Sequence, residues 1–138
     1  MPRHTPLIVL VDDDWDFLEV EKAILEERGY RVQCFPDPDD ALAMMAEERP
    51  DLVITDLMMR TLDAGFVLCK KIKENPRFAT IPVIIVTAIS SQRGFDFSPS
   101  LAGDLATMRA DAYFEKPIPP EALLAKVAEL LGIKEEGT

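Results

Sequence analysis

Three aspartates, Asp12, Asp13 and Asp14, follow directly on the apolar run LIVLV, and a fourth, Asp56, ends a second such run, LVIT. Thr87 ends a third run, VIIV, and Lys116 follows the short segment AYFE. A charge at the end of a buried segment is costly unless it is paired or bound to a metal. If these segments lie side by side, several carboxylates, one hydroxyl and one amine face a single crevice. Crowded carboxylates raise one another's pKa or recruit a cation. A hard divalent ion with oxygen ligands, Mg²⁺ or Mn²⁺, suits two carboxylates together with phosphate oxygens and water. An aspartate so placed can attack a phosphoryl group to give an acyl phosphate. The transition state spreads negative charge over the phosphoryl oxygens, so the work is positioning and neutralisation. A metal, the Lys116 ammonium and the Thr87 hydroxyl would supply it. None of these groups needs to be a general base, and the chain has a single histidine, His4, near its N-terminus.

The elements that must hold these residues follow from hydrophobic patterning. Residues 7–11, 31–35, 51–55, 83–87 and 112–114 form short runs suited to strands, the first a continuous apolar run bounded by Pro6 and Asp12. Between them lie longer amphipathic stretches. Phe17, Val20, Ile24 and Leu25 make a helical stripe ending at Gly29, with Asp14 as its expected cap. Asp37 and Pro38 open a second helix lined by Ala41, Leu42 and Met45. Phe66, Cys69 and Ile72 line a third, with Lys70, Lys71 and Lys73 assigned to its polar side until Asn75 and Pro76 stop it. The last helix starts near Pro119 and Pro120 and ends before Gly132. Strict alternation of strand and helix predicts an α/β fold: a five-stranded parallel sheet, doubly wound, with helices on both faces. Ligands of such sheets sit beyond the carboxyl ends of the strands, where strand order reverses.

Composition bounds the rest. The 138 residues, 48% hydrophobic and 29% charged, are enough for one domain with its own core. Residues 1–6 are expected to be an N-terminal tail, 7–132 the domain and 133–138 a C-terminal tail. No apolar run is long enough to cross a bilayer and no secretory cleavage pattern opens the chain, so the cytoplasm is the expected location. The net charge of −10 disfavours binding to a phosphate backbone and favours basic protein partners. Cys34 and Cys69 lack metal or redox spacing and are expected to be small buried hydrophobes.

The motifs LVDDD, ITDLMM, VTA and YFEKP, in this order and spacing, resemble the receiver domain of two-component response regulators, over about Leu7 to Leu131. The resemblance is to stand-alone, chemotaxis-regulator-like members. It implies a flavodoxin-like (βα)5 fold and transfer of a phosphoryl group from a phosphohistidine on a sensor histidine kinase or phosphotransfer protein. Carried onto this sequence, Asp56 matches the phosphoacceptor, and Asp12 and Asp13 match the acidic metal-binding pair. Met58 falls where a backbone carbonyl reaches the metal. Thr87 matches the switch hydroxyl, Lys116 the lysine of the site and Tyr113 the switch aromatic. The expected outlet is an unidentified downstream protein, with phosphorylation-dependent homodimerisation as an alternative. Neither DNA nor membrane is an expected partner. The implied role is phosphoacceptor rather than enzyme.

Three departures qualify the pattern. The loop after the phosphoacceptor, which in the family reads roughly Met-Pro-x-x-Asp-Gly, has Arg60 for the proline and Ala64 for the glycine, with Gly65 one place later. The segment between Thr87 and Lys116 is several residues longer than the common pattern. Its Phe95, Phe97 and Leu101 are expected to pack on the core, the alternative being a partner or dimer patch. Met58 and Ile89 occupy positions that tune dephosphorylation, and neither can orient a water, so a long-lived aspartyl phosphate is expected. Two other readings compete. A phosphatase of the haloacid dehalogenase type would use Asp12 and Asp14 and leave Asp56 idle. A degenerate receiver would serve only as a docking module.

Overall fold

The computed structural model describes residues 5–57, 64–87 and 109–133. Five parallel strands form one sheet: β1 (Leu7–Val11), β2 (Arg31–Phe35), β3 (Leu52–Asp56), β4 (Val83–Thr87) and β5 (Ala112–Glu115). Their order is β2-β1-β3-β4-β5, so the chain reverses direction across the sheet between β1 and β3. Ile8 pairs with Leu52, Asp56 with Val86 and Thr87 with Glu115. The described helices are α1 (Trp15–Glu27), α2 (Pro38–Glu47), α3 (Ala64–Glu74) and α4 (Pro120–Leu131).

The sheet is covered on both faces because successive strand residues point to opposite sides. Val9, Val11, Val53, Val83 and Ile85 meet Ala41 and Met45 of α2 and Leu68, Cys69 and Ile72 of α3. Ile8, Leu10, Leu52, Ile54, Ile84 and Val86 meet Leu18 and Leu25 of α1 and Leu123, Leu124 and Val127 of α4. Each large aliphatic side chain fully buried in this way contributes roughly 1.5–3 kcal/mol relative to exposure. This is the expected α/β fold, with β5 running one residue further than its apolar run, to Glu115.

The helix ends follow their local chemistry. Asp14 caps α1, its carboxylate accepting from the N–H groups of Asp16 and Phe17, and Asp37 caps α2 ahead of Pro38. Gly132 closes α4 in the left-handed conformation, which costs a residue without Cβ nothing. Neither cysteine is in a disulfide; Cys69 is buried and Cys34 half-buried.

Two helix faces differ from the patterning. In α1 the buried residues are Leu18, Glu21 and Leu25, while Val20 is 55% exposed. Leu18 and Leu25, seven residues apart, set the phase, and Glu21 between them is carried inward. In α3, Lys73 is buried rather than on the polar side. It lies one turn beyond Cys69, on the core face, and its ammonium donates to the Ile81 carbonyl and to Asp111 Oδ2, both at 2.8 Å. Asp111 Oδ2 also accepts from Val83 N–H at 2.8 Å, and Arg109 donates to the Lys73 carbonyl at 2.9 Å. The cluster ties the end of α3 to the starts of β4 and β5. Removing one partner of a buried ion pair leaves a charge uncompensated. Asp111→Ala is therefore expected to lower stability by about 3 kcal/mol in urea denaturation. Lys73→Met should cost less, because it withdraws the buried charge itself and leaves a partly solvated carboxylate.

Candidate functional site

At the carboxyl ends of the strands, Asp12, Asp13, Asp56 and Lys116 meet, with Thr87 at the end of β4. Asp12, fully buried just after β1, is held by its backbone N–H, which donates to the Phe35 carbonyl at 3.1 Å. Its Oδ1 accepts from Asp14 N–H at 2.9 Å, and its Oδ2 from Lys116 Nζ at 2.8 Å. Carboxylate oxygens of Asp12, Asp13 and Asp56 lie within 4.8 Å of one another, with Asp13 exposed and Asp56 buried. Lys116 Nζ is also 3.7 Å from Asp56 Oδ2 and 4.2 Å from the centre of the Phe17 ring. Among the described residues, Asp12, Asp13 and Asp56 with Lys116 leave net negative charge in a space lined by hard oxygen donors. These residues fit a divalent cation such as Mg²⁺.

The backbone around Asp56 is fixed from several sides. Leu57 N–H donates to the Val86 carbonyl, and Gly65 N–H donates to the Leu57 carbonyl, both at 2.8 Å. The Thr55 hydroxyl, buried, donates to the Asp56 carbonyl at 3.0 Å. A Cβ at Gly65 would overlap the Asp56 carbonyl oxygen and stand 2.7 Å from Leu57 Cα. Gly65, not Ala64, therefore makes the close approach, and the loop from Asp56 carries one residue more than the family pattern.

Thr87 is fully buried at the end of β4, and its carbonyl accepts from Lys116 N–H at 2.8 Å. The Lys116–Pro117 peptide is cis. Tyr113 lies on the edge strand β5, 38% exposed, and burial with the nearby Glu115 charge pushes its phenol up to about 12. Met58, Arg60, Ile89 and the 90–105 segment lie outside the described residues. Sequence reasoning missed Thr55, Phe17 and Glu21 as neighbours of the site. The interval Leu18–Glu21–Leu25 is the signal that would have placed Glu21 inside.

Burial raises the Asp12 carboxyl above its ordinary value of 3.8, outweighing the Lys116 bond that lowers it. For Lys116, burial lowers the ammonium pKa, but the Asp12 bond and the Asp56 charge carry it above its ordinary value. The folded state therefore holds the Asp12 proton more tightly than the unfolded chain does. Its contribution to stability is full below about pH 3.8 and is lost as pH rises through the higher folded value. A cation that binds the ionised cluster reverses the loss. At neutral pH, Mg²⁺ at a hundredfold excess over its Kd is expected to add about 2.7 kcal/mol, seen as a rise in Tm that EDTA removes.

A parallel doubly wound sheet with an acidic cluster and a lysine at its carboxyl edge defines a flavodoxin-like receiver fold. The chain belongs to the response regulator receiver domain family, which it matches over residues 8–128. It is 34% identical over 130 residues to the DNA-binding dual master transcriptional regulator RpaA of Synechocystis sp., covering 91% of this chain and 49% of that protein. Identity is also 34% over 127 residues to the response regulator PleD of Caulobacter vibrioides, covering 92% of this chain and 26% of PleD. The chain thus spans about half the length of the first relative and a quarter of the second. Among solved structures, the signal receiver domain of a signal transduction histidine kinase from Syntrophus aciditrophicus aligns with a TM-score of 0.81 at 31% identity. That alignment covers 97% of this chain and 98% of the other. A CheY-like receiver domain protein from Methanospirillum hungatei gives 0.80 at 29%, covering 94% and 95%.

Proposed function

We propose that Asp56 accepts a phosphoryl group from a phosphohistidine on a sensor histidine kinase or phosphotransfer protein, and that the modified domain signals to another protein. The observation that carries this reading is the meeting of Asp12, Asp13 and Asp56, with Lys116 on Asp12 and 3.7 Å from Asp56. An Asp56 carboxylate oxygen forms the new bond to phosphorus, the P–N bond to the donor histidine breaks, and the freed imidazole takes a proton. Lys116 supplies a fixed positive charge beside the phosphoryl oxygens, and Thr87 a hydroxyl at the end of the neighbouring strand. Asp12, Asp13, Asp56 and the Met58 carbonyl would hold Mg²⁺, which neutralises charge developing on the transferred group. Thr87 and Tyr113 are the proposed switch, a local charge event biasing a two-state surface.

Asp14 supports this reading over a phosphatase built on Asp12 and Asp14, because its carboxylate is engaged as the α1 cap. Among the described residues no helix is long and apolar enough to cross a membrane. With a net charge of −10, protein rather than DNA is the proposed partner of this segment, and the cytoplasm its proposed location.

The test is incubation with acetyl phosphate and Mg²⁺, read by intact mass, with beryllofluoride binding followed by Trp15 fluorescence. Metal-dependent addition of one phosphoryl group is expected. Neither modification nor a metal-dependent change would leave only the docking-module reading. With Met58 and Ile89 apolar, the phosphoryl group is expected to be long-lived; decay within minutes on the purified phosphoprotein would overturn that.

A further inference from the structure

A groove of about 440 Å³ is lined by α1 and by the connection from β5 to α4, Lys116 included. Its walls are apolar: Phe17, Val20 and Ile24 from α1, and Ile118 beyond Pro117. Pockets of this size with apolar walls and a few converging polar groups are the usual form of small-ligand sites. Glu21 also lines the groove. It is 6% exposed, and its Oε1 has no hydrogen-bond partner among the described residues. Buried carboxylate oxygens are otherwise satisfied, because an unmet acceptor loses its hydration for no return.

Lys116, the cation among the described lining residues, does not fill the gap. Its ammonium is bonded to Asp12 and seated over the Phe17 ring. Asp14 and Asp16 stand at the groove as well. Among the described lining residues, Glu21, Asp14 and Asp16 outnumber this one ammonium, so the groove carries net negative charge. A ligand that suits it has an apolar body and a positively charged hydrogen-bond donor.

We propose that this groove is a second binding site, distinct from the acidic cluster, for a small amphipathic organic cation, an apolar amine or guanidine whose charged head meets Glu21. The inference goes beyond the phosphoacceptor reading and does not require it. The probe is phenethylamine, with phenethyl alcohol as its neutral counterpart, titrated into the uniformly ¹⁵N-labelled chain and followed by amide chemical shifts. Saturable shifts are expected at Phe17, Glu21, Ile24 and Lys116, with the amine binding about tenfold or more tighter than the alcohol, the effect of one charge-assisted hydrogen bond. Glu21→Gln should erase that preference while leaving weak binding of the alcohol. Val20→Lys, at an exposed position on the groove wall, should weaken amine binding by placing a competing ammonium there, and guards against a folding defect in the first variant. Equal affinity for amine and alcohol, an unchanged preference in Glu21→Gln, or shifts confined to residues outside the groove would overturn the proposal. Because acetyl phosphate labelling is measured separately, failure here leaves the phosphoacceptor reading standing, and the reverse also holds.

Discussion

Asp56→Asn is expected to abolish phosphoryl uptake and, in the absence of metal, to stabilise the fold. The first effect follows from loss of the nucleophilic carboxylate. The second follows from geometry. Asp56 faces two carboxylates with oxygens no more than 4.8 Å away and one ammonium at 3.7 Å. Coulomb energies fall as the inverse of distance, so two repulsions at that separation outweigh the attraction to Lys116. At an effective dielectric of about 20 the difference is roughly 2 kcal/mol, and solvent at the exposed Asp13 reduces the expected gain to about 1 kcal/mol. Intact mass after acetyl phosphate treatment checks the first effect and urea denaturation in EDTA the second. Continued labelling of Asp56→Asn would remove Asp56 from its proposed role. Labelling lost in Asp12→Asn but kept in Asp56→Asn would instead support phosphatase-like chemistry at Asp12.

Gly65→Ala is expected to be the most disruptive one-carbon change near the site. Its Cβ would overlap the Asp56 carbonyl oxygen, and the neighbours it meets are backbone atoms that cannot swing away. Either α3 shifts outward or the Asp56–Leu57 peptide rotates, which strains the Gly65 to Leu57 hydrogen bond. Overpacking of a well-filled interior typically costs 1–3 kcal/mol, and a backbone clash belongs at the top of that range, about 3 kcal/mol. Acetyl phosphate labelling should slow even at temperatures where the variant stays folded, since the displaced peptide carries the acceptor. Ala64→Gly is the control and should label at the parental rate. Labelling of Gly65→Ala at that rate would show that Asp56 tolerates movement of its own backbone.

The strands and the acidic cluster were legible because both depend on residues adjacent in sequence. An apolar run ending in a carboxylate, a hydroxyl or an amine shows its own strand end, and parallel pairing then gathers those ends. Glu21 and Lys73 were not legible in the same way. Both are charged types that patterning assigns to solvent, yet each sits on the core stripe of its helix, and only the phase set by Leu18 and Leu25, or by Cys69 and Ile72, carries them inward. The Asp111 partner that makes Lys73 tolerable is 38 residues away, beyond any local signal. Gly65 was visible as a displaced glycine, but its contact with the Asp56 carbonyl is a property of the packed helix.

Helix α3 is pinned at both ends, by the Gly65 contact beside Asp56 and by Lys73 on Asp111. The number of residues between those pins is therefore a fixed gauge. One added residue within the helix would rotate Lys73 by about 100° and lift it off Asp111. One added residue ahead of Gly65 leaves the gauge intact. Among homologues, length changes in this region should accordingly collect before the glycine and spare the helical turns after it, which gives sequence alignment a ruler anchored at Gly65 rather than at Asp56.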